Sequence, residues 1–330
     1  MDLITELREK TRDNPKRIVF PEGNDQKILK AAGLLAAEGI AIPILLGIKD
    51  ELMSLGMHDG VDMKGIGIVD PLTSSRLDEY VASYCRMRDF PSGAAIRILR
   101  QPLYFGAMMV RQGEADTMVA GVANATEDII IASELIIGLQ ERVSTPSSFF
   151  VMDVPSYSGR EGNLLIFADA AVNPDPTPEQ LADIAVATAG SATKLLGWEP
   201  RVAMLSFSTK GSAVHPLVDK VVKAVEILKK QAPGLAVDGE LQADAAIIPE
   251  VAKRKIKGRS RVAGIANVLI FPNLDAANIA YKLVQRLAGA KAYGPLLQGF
   301  AKPVTDLSRG ASIEDILGTA MLMVRIAQAL

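Results

Sequence analysis

Histidine and cysteine are nearly missing from this chain of 330 residues, which has two of the first, His58 and His215, and one of the second, Cys85. That scarcity excludes an intramolecular disulfide and leaves almost nothing for a zinc site or a Cys–His nucleophile pair. Aromatic residues make up only 5% of the chain, so the core must be aliphatic. Neither sign of charge dominates: 36 basic and 38 acidic side chains give a net −2, so no whole-molecule field attracts nucleic acid or an anionic membrane. No apolar run reaches the roughly 18 residues of a spanning helix. The opening MDLITELREKTRDNPKR is charged and lacks the apolar stretch of a signal peptide. These absences predict a cytoplasmic protein with no nucleic-acid or membrane partner. If it is an enzyme, Ser, Asp, Arg and Lys must do the chemistry.

Apolar side chains are abundant, at 49% of the chain, and the mean hydropathy of +0.21 is high for a soluble protein. Both point to buried sheets or a large subunit interface. Strand and helix signals alternate: RIVF at 17–20, a helix from Asp25 to Glu38, then IAIPILLG, GIGIVDP, DTMVAGV and a helix from Ala125 to Gly138. SSFFVMDVP and NLLIFADAAV, joined by SYSGREG, read as a hairpin. Beyond NPDPTP come a helix ending at Gly197, the strands RVAMLSF, GLAVDGEL and NVLIFPN with helices between them, and a last helix from Ser312. Continuous apolar strands of this kind predict an α/β fold with a mostly parallel sheet covered by helices on both faces. The length suits two domains. Ser144-Thr145-Pro146 and Tyr293-Gly294-Pro295 are the candidate crossings, which divides the chain into 1–143 with 299–330, and 144–298.

Three motifs carry possible chemistry. Ser206-Phe207-Ser208-Thr209-Lys210-Gly211-Ser212 lies between a strand and a helix, where backbone N–H groups, the helix dipole and a lysine favour an anion; an N-capping turn is the alternative. Asp306-Leu307-Ser308-Arg309-Gly310 leads to Ser312-x-x-Asp315, which supplies a hydroxyl, a phosphate-binding guanidinium and a carboxylate base, or simply a capping box. Arg86 and Arg88 at one helix end, and Arg286 in AYKLVQRLAG, are either dipole partners and solvated residues or anion ligands. Gly65-Ile66-Gly67 lacks the rest of a dinucleotide fingerprint, and His215 reads as a hydrogen-bonded helix residue.

RIVFPEG, ADTMVAGVANAT, VNPDPTPEQLADIA, LSFSTKGSA, NVLIFPNLDAANIAYKLVQRLA and QGFAKPVTDLSRG occur in that order along the chain. The series resembles the phosphate acetyl/butyryltransferase family, and within it the phosphate acetyltransferases. The resemblance implies a two-lobed, three-layer αβα fold like that of the isocitrate and isopropylmalate dehydrogenases, a homodimer, and an active site in the cleft between the lobes. It implies the interconversion of acetyl-CoA and phosphate with acetyl phosphate and CoA through a ternary complex, without metal or organic cofactor. Carried over, Asp315 takes the thiol proton, Ser308 hydrogen-bonds developing charge and Arg309 holds the phosphoryl group. Arg286 and Arg86 bind phosphate or CoA. Ser206, Ser208, Thr209, Lys210, Gly211 and Ser212 are the further substrate-binding candidates.

One departure stands out. Where the family carries an arginine-proline pair after Asn124-Ala125-Thr126, this chain has Ile131-Ala132. Arg88 and Arg142 are candidate substitutes for the lost charge. The departure leaves room for propionyl or butyryl specificity, or for a non-catalytic acetyl-CoA-sensing module of the same fold. A dehydrogenase is disfavoured, because no metal-binding aspartate cluster is visible.

Overall fold

The apolar runs at 18–20, 117–119 and 201–205 are buried along their whole length, as strands covered on both faces must be. The structure, a computed structural model, describes residues 3–141, 143 and 145–330. Ser144 and Arg142 lie outside the described residues. In chain order come α1 (Leu3–Arg12), β1 (Lys16–Phe20), α2 (Gln26–Ala37), β2 (Ala41–Leu46), α3 (Lys49–Asp59) and β3 (Gly67–Val69). They are followed by α4 (Leu77–Arg88), α5 (Ser92–Leu99), α6 (Pro102–Arg111), β4 (Thr117–Val119) and α7 (Thr126–Ile136). Next are β5 (Ser147–Asp153), β6 (Leu164–Ala168), α8 (Pro178–Leu196), β7 (Arg201–Leu205), α9 (Pro216–Gln231) and β8 (Ala236–Leu241). After these lie α10 (Ala243–Ile247), α11 (Pro249–Lys255), β9 (Val268–Ile270), α12 (Leu274–Leu287) and β10 (Lys291–Gln298), and the chain ends with β11 (Val304–Thr305) and α13 (Ile313–Gln328).

The chain divides into two units, residues 1–142 with 300–330, and residues 143–299. In the first, the strand order is β3-β2-β1-β4-β11 and every pair is parallel. Helix α13 is buried without a break from Ile316 to Val324 and packs on α1, α2, β1 and β4, as a helix apolar on all sides must. The loop at 306–312 joins its N-terminus to the short β11. Register there rests on two pairs, Val304 with Met118 and Thr305 with Val119.

In the second unit, β6, β9, β7 and β8 run parallel, while β5 pairs antiparallel with both β6 and β10. The β5–β6 hairpin matches the sequence expectation. Its core is aliphatic with a few rings, such as Phe150 stacked on Tyr281 at 4.3 Å. Tyr293-Gly294-Pro295 is not the expected crossing. It lies inside β10, where the register shifts between Tyr293 and Leu296. A proline that cannot donate to the ladder is tolerated at such an irregularity, so the glycine-proline signal marks a bulge and not a linker.

Candidate functional site

The C-terminal ends of β1, β4 and β11 meet in the first unit, and their loops build one polar centre. Glu22, in the Pro-Glu-Gly turn after β1, is buried. Its Oε2 accepts the N–H groups of Gly121 and Val122 at 2.9 and 3.0 Å. Its Oε1 accepts those of Ala123 and Asn124 at 2.8 and 2.7 Å, and the Asn124 amide at 2.7 Å. The β4–α7 loop is therefore wrapped around a carboxylate of the chain itself.

Asp306 closes the same centre from β11. Only 2% of it is exposed, and its Oδ2 accepts the Thr126 hydroxyl at 2.5 Å, at the first residue of α7. Its Oδ1 is buried without a hydrogen bond. Burial pushes the Asp306 carboxyl up to about 7; the Thr126 hydroxyl, the nearby Leu307 N–H and the Arg309 charge oppose the rise, and the Glu22 charge adds to it. Gly121 is required here. Its φ is +123°, and a Cβ would lie 2.1 Å from Asp306 Oδ1 and 2.4 Å from Leu307 N.

Beyond Asp306 the chain emerges, and Ser308, Arg309 and Gly310 are exposed. The loop is pinned from α2 by Lys27, whose Nζ donates to the carbonyls of Arg309 and Ala311 at 3.0 and 3.1 Å. Within the loop, the Ala311 N–H donates to Ser308 O at 2.8 Å and the Gly310 N–H to Ser308 Oγ at 3.3 Å. The Arg309 guanidinium makes no hydrogen bond or ion pair with any described residue. Ser312 then caps α13. Its Oγ accepts the Asp315 N–H at 3.1 Å, and its own N–H donates to Asp315 Oδ2 at 3.0 Å. The capping box is thus formed, and it engages one of the two Asp315 oxygens. Ser308, Arg309 and Asp315 share a single loop-to-helix junction, where helix N–H groups, a free guanidinium, a hydroxyl and a carboxylate face solvent.

The Ser206–Ser212 loop in the second unit differs from the expected open cradle. Ser208 and Thr209 are buried. The Glu240 carboxylate, also buried, accepts the Ser208 hydroxyl at 2.9 Å and the Gly211 N–H at 2.7 Å through Oε1. Thr209 Oγ1 pairs with Gln242, Ser212 Oγ takes the Thr209 N–H, and Ser206 Oγ takes the Ser208 N–H. Lys210 Nζ is bound to Asp238 and to Gly239 O. Although burial pushes the Asp238 carboxyl up, hydrogen bonds from Lys210 and Ser260 hold it below the usual carboxylate range. The anion this loop holds is the chain's own. His215 is the N-cap of α9 and accepts the Leu217 N–H at 3.2 Å through Nδ1, a structural role.

The family described as phosphate acetyl/butaryl transferase matches residues 2–324. The chain belongs to that family. It is 49% identical over 320 residues to the phosphate acetyltransferase of Thermoanaerobacterium thermosaccharolyticum, an alignment covering 96% of this chain and 97% of that one. A phosphotransacetylase structure from Streptococcus pyogenes superposes with a TM-score of 0.91 at 42% identity, over 99% of this chain and 98% of the other. A protein from Salmonella typhimurium described as a 4-hydroxythreonine-4-phosphate dehydrogenase, 12% identical with a TM-score of 0.52 over 96% and 99% of the two chains, shares the fold alone. The fold is therefore the dehydrogenase-like α/β fold expected for this transferase family.

Within the phosphate acetyl/butyryltransferase frame, the remaining candidates sort by whether their charge is already used. Arg86, in the last turn of α4, and Arg286, near the end of α12, are exposed and make no hydrogen bond or ion pair with a described residue. Arg88 is engaged. It donates to the carbonyls of Glu134 and Leu135 at the end of α7, at 2.9 to 3.2 Å, so it serves that helix instead of replacing the absent arginine. At the positions of the family's arginine-proline pair, Ile131 is 39% exposed and Ala132 is buried. Sequence reasoning missed Glu22, Lys27, Thr126 and Glu240, and left Asp306 without a role. The only signals were Pro-Glu-Gly after a strand and an aspartate ending an apolar run. Among the described residues no helix is long and apolar enough to cross a membrane.

Proposed function

We propose that the chain interconverts acetyl phosphate and CoA with acetyl-CoA and phosphate, and that the β11–α13 junction carries the reaction. The observation behind this reading is the exposed, uncommitted Arg309 beside Ser308 at the mouth of a long helix, on a loop pinned by Lys27. A planar guanidinium binds a phosphoryl group through two parallel hydrogen bonds, and the helix N–H groups and dipole add to that attraction. The free oxygen of Asp315 takes the CoA thiol proton; an ordinary thiol pKa near ~8.5 makes a modest base sufficient. The thiolate attacks the carbonyl carbon of acetyl phosphate. A C–S bond forms, the bond from carbon to the phosphoryl oxygen breaks, and phosphate leaves on Arg309. Ser308 donates to the oxygen on which charge grows. In a ternary complex both substrates are present before any bond breaks.

The atoms balance without a metal or an organic cofactor, and CoA acts as a substrate. Arg86 and Arg286, with unused charge, suit the anionic groups of CoA or phosphate. The working form is a cytoplasmic homodimer. In support, α12 exposes Ile279, Leu283 and Leu287, one stripe at four-residue spacing that is 57%, 52% and 82% accessible, a surface suited to a second copy. Light scattering on the purified chain reads the oligomer directly. The reaction is tested by steady-state thioester formation from CoA with acetyl, propionyl and butyryl phosphate. The highest kcat/KM is expected with acetyl phosphate; no thioester from any of the three would overturn the reading.

A further inference from the structure

The loop that carries Ser308 and Arg309 has a weak mechanical base. It leaves a strand of two residues, Val304 and Thr305, and between the buried Leu307 and Ala311 its Ser308 and Arg309 side chains face solvent. Two contacts compensate. One is Lys27, which holds the loop carbonyls from outside. The other lies inside: Asp306 Oδ2 accepts the Thr126 hydroxyl at 2.5 Å. Thr126 opens α7, and the loop before it is fixed by the five donors that converge on Glu22. At Gly121 that loop passes so close to Asp306 and Leu307 that a Cβ would sit within 2.5 Å of both. A continuous rigid path therefore runs from β1, through the β4–α7 loop and Thr126, to the residue two before Ser308.

Stability alone does not account for this arrangement. A buried carboxyl that keeps one oxygen without a partner, close to a second carboxylate, is a poor way to hold a fold together. It is a good way to fix an angle, because a short charged hydrogen bond is directional where an apolar contact is not.

We propose that Asp306, through its hydrogen bond from Thr126, is a positioning residue that sets the Ser308–Arg309 loop in its reactive orientation without touching substrate. The proposal rests on the reading of Ser308 and Arg309 as reacting groups. A tilt of the loop by about an ångström leaves both substrates able to bind but misaligns the thiolate and the acyl carbon, which costs up to about a hundredfold in turnover.

The test removes the bond without removing its shape. Thr126→Val deletes the hydroxyl and keeps the volume, and Thr126→Ser restores the hydroxyl without the methyl. In the full-length chain Thr126→Val should lower kcat about tenfold to a hundredfold, with KM for CoA and for acetyl phosphate within about threefold of the parent. Thr126→Ser should recover most of the lost kcat. A purely structural role predicts the reverse: both variants melt lower, and activity follows the folded fraction. The proposal is overturned if Thr126→Val turns over at the parent rate, if its loss matches its unfolded fraction, or if Thr126→Ser is no better. Arg309→Gln is run alongside. If it is inactive while Thr126→Val is normal, only the positioning role fails. If Arg309→Gln is itself normal, the reading of the loop fails and the proposal falls with it.

Discussion

The β4–α7 loop of the first unit and the β7–α9 loop of the second are built alike: each leaves the C-terminal end of a parallel strand, turns its N–H groups inward and enters a helix. By position both are anion sites. In each the anion is already supplied. Glu22 fills the first with five donors, and Glu240 fills the second with the Ser208 hydroxyl and the Gly211 N–H. In a further loop, β11–α13, Asp315 serves as the helix cap, the Asp306 carboxylate accepts from Thr126 outside the loop, and the arginine is free. Anion geometry in the β4–α7 and β7–α9 loops thus serves architecture, and the β11–α13 loop is the one proposed here for ligand. What separates the cases is whether the chain has placed its own carboxylate in the nest.

The contrast is broken most directly by charge removal. Arg309→Gln should lower kcat/KM about a hundredfold to a thousandfold while the melting temperature stays within a few degrees, since its guanidinium supports nothing in the fold. Lys210→Gln, which loses its contacts to Asp238 and Gly239, should change turnover only a few-fold. If steady-state kinetics place the larger loss at Lys210, the second loop is the phosphate site and the comparison is inverted.

Asp315→Asn sharpens the reading of the junction. The amide oxygen of asparagine can still accept the Ser312 N–H, so the fold should persist while kcat falls about tenfold to a hundredfold with the loss of the base. Unchanged kcat with a lower melting temperature would leave Asp315 a cap and nothing more.

Neutralising the internal anions comes next. Glu22→Gln turns one of two accepting oxygens into a donor amide facing N–H groups, and should cost about 2–4 kcal/mol. Glu240→Gln has fewer donors to satisfy and should cost about 1–2 kcal/mol. Urea denaturation of the two variants measures the difference; equal costs would mean that donor count is not what sets the worth of a filled nest.

How far these roles were legible follows from their range in sequence. Strands such as RIVF and RVAMLSF, and the capping box at Ser312, are local patterns, and the structure has them where the pattern falls. The Ser208–Gly211 segment was also legible as an anion nest. Its occupant was not, because Glu240 arrives from a strand about 30 residues away and only the fold brings it in. Glu22 and its loop lie about 100 residues apart, and Asp306 and Thr126 about 180. No spacing rule reaches that far. Gly294-Pro295 failed in the opposite way: a local turn signal was overruled by pairing with β5.

The finest test of the comparison concerns a buried carboxyl with one oxygen that no donor satisfies. Asp306 titrates near 7 in the fold against an ordinary value of 3.8, so the folded chain binds its proton more tightly than the unfolded chain does. Below about pH 4 both forms are protonated and the group costs nothing. As pH rises from about 4 to 7 the unfolded chain releases the proton first, and stability is lost progressively; above 7 the full penalty remains. Asparagine has no such proton to lose. Asp306→Asn should therefore match or fall slightly below the parent at pH 4 and exceed it by about 1–2 kcal/mol at pH 8, after allowing for a weaker bond from Thr126. The same variant should turn over more slowly, because the charged bond that orients the loop is gone. Urea midpoints at pH 4, 6 and 8 measure the first effect and kcat at pH 8 the second. A stability difference that does not change with pH would mean that the Asp306 carboxyl is ionised in the fold at ordinary cost. Its neighbourhood would then resemble the filled nest at Glu22 more than a buried centre with an unpaired oxygen.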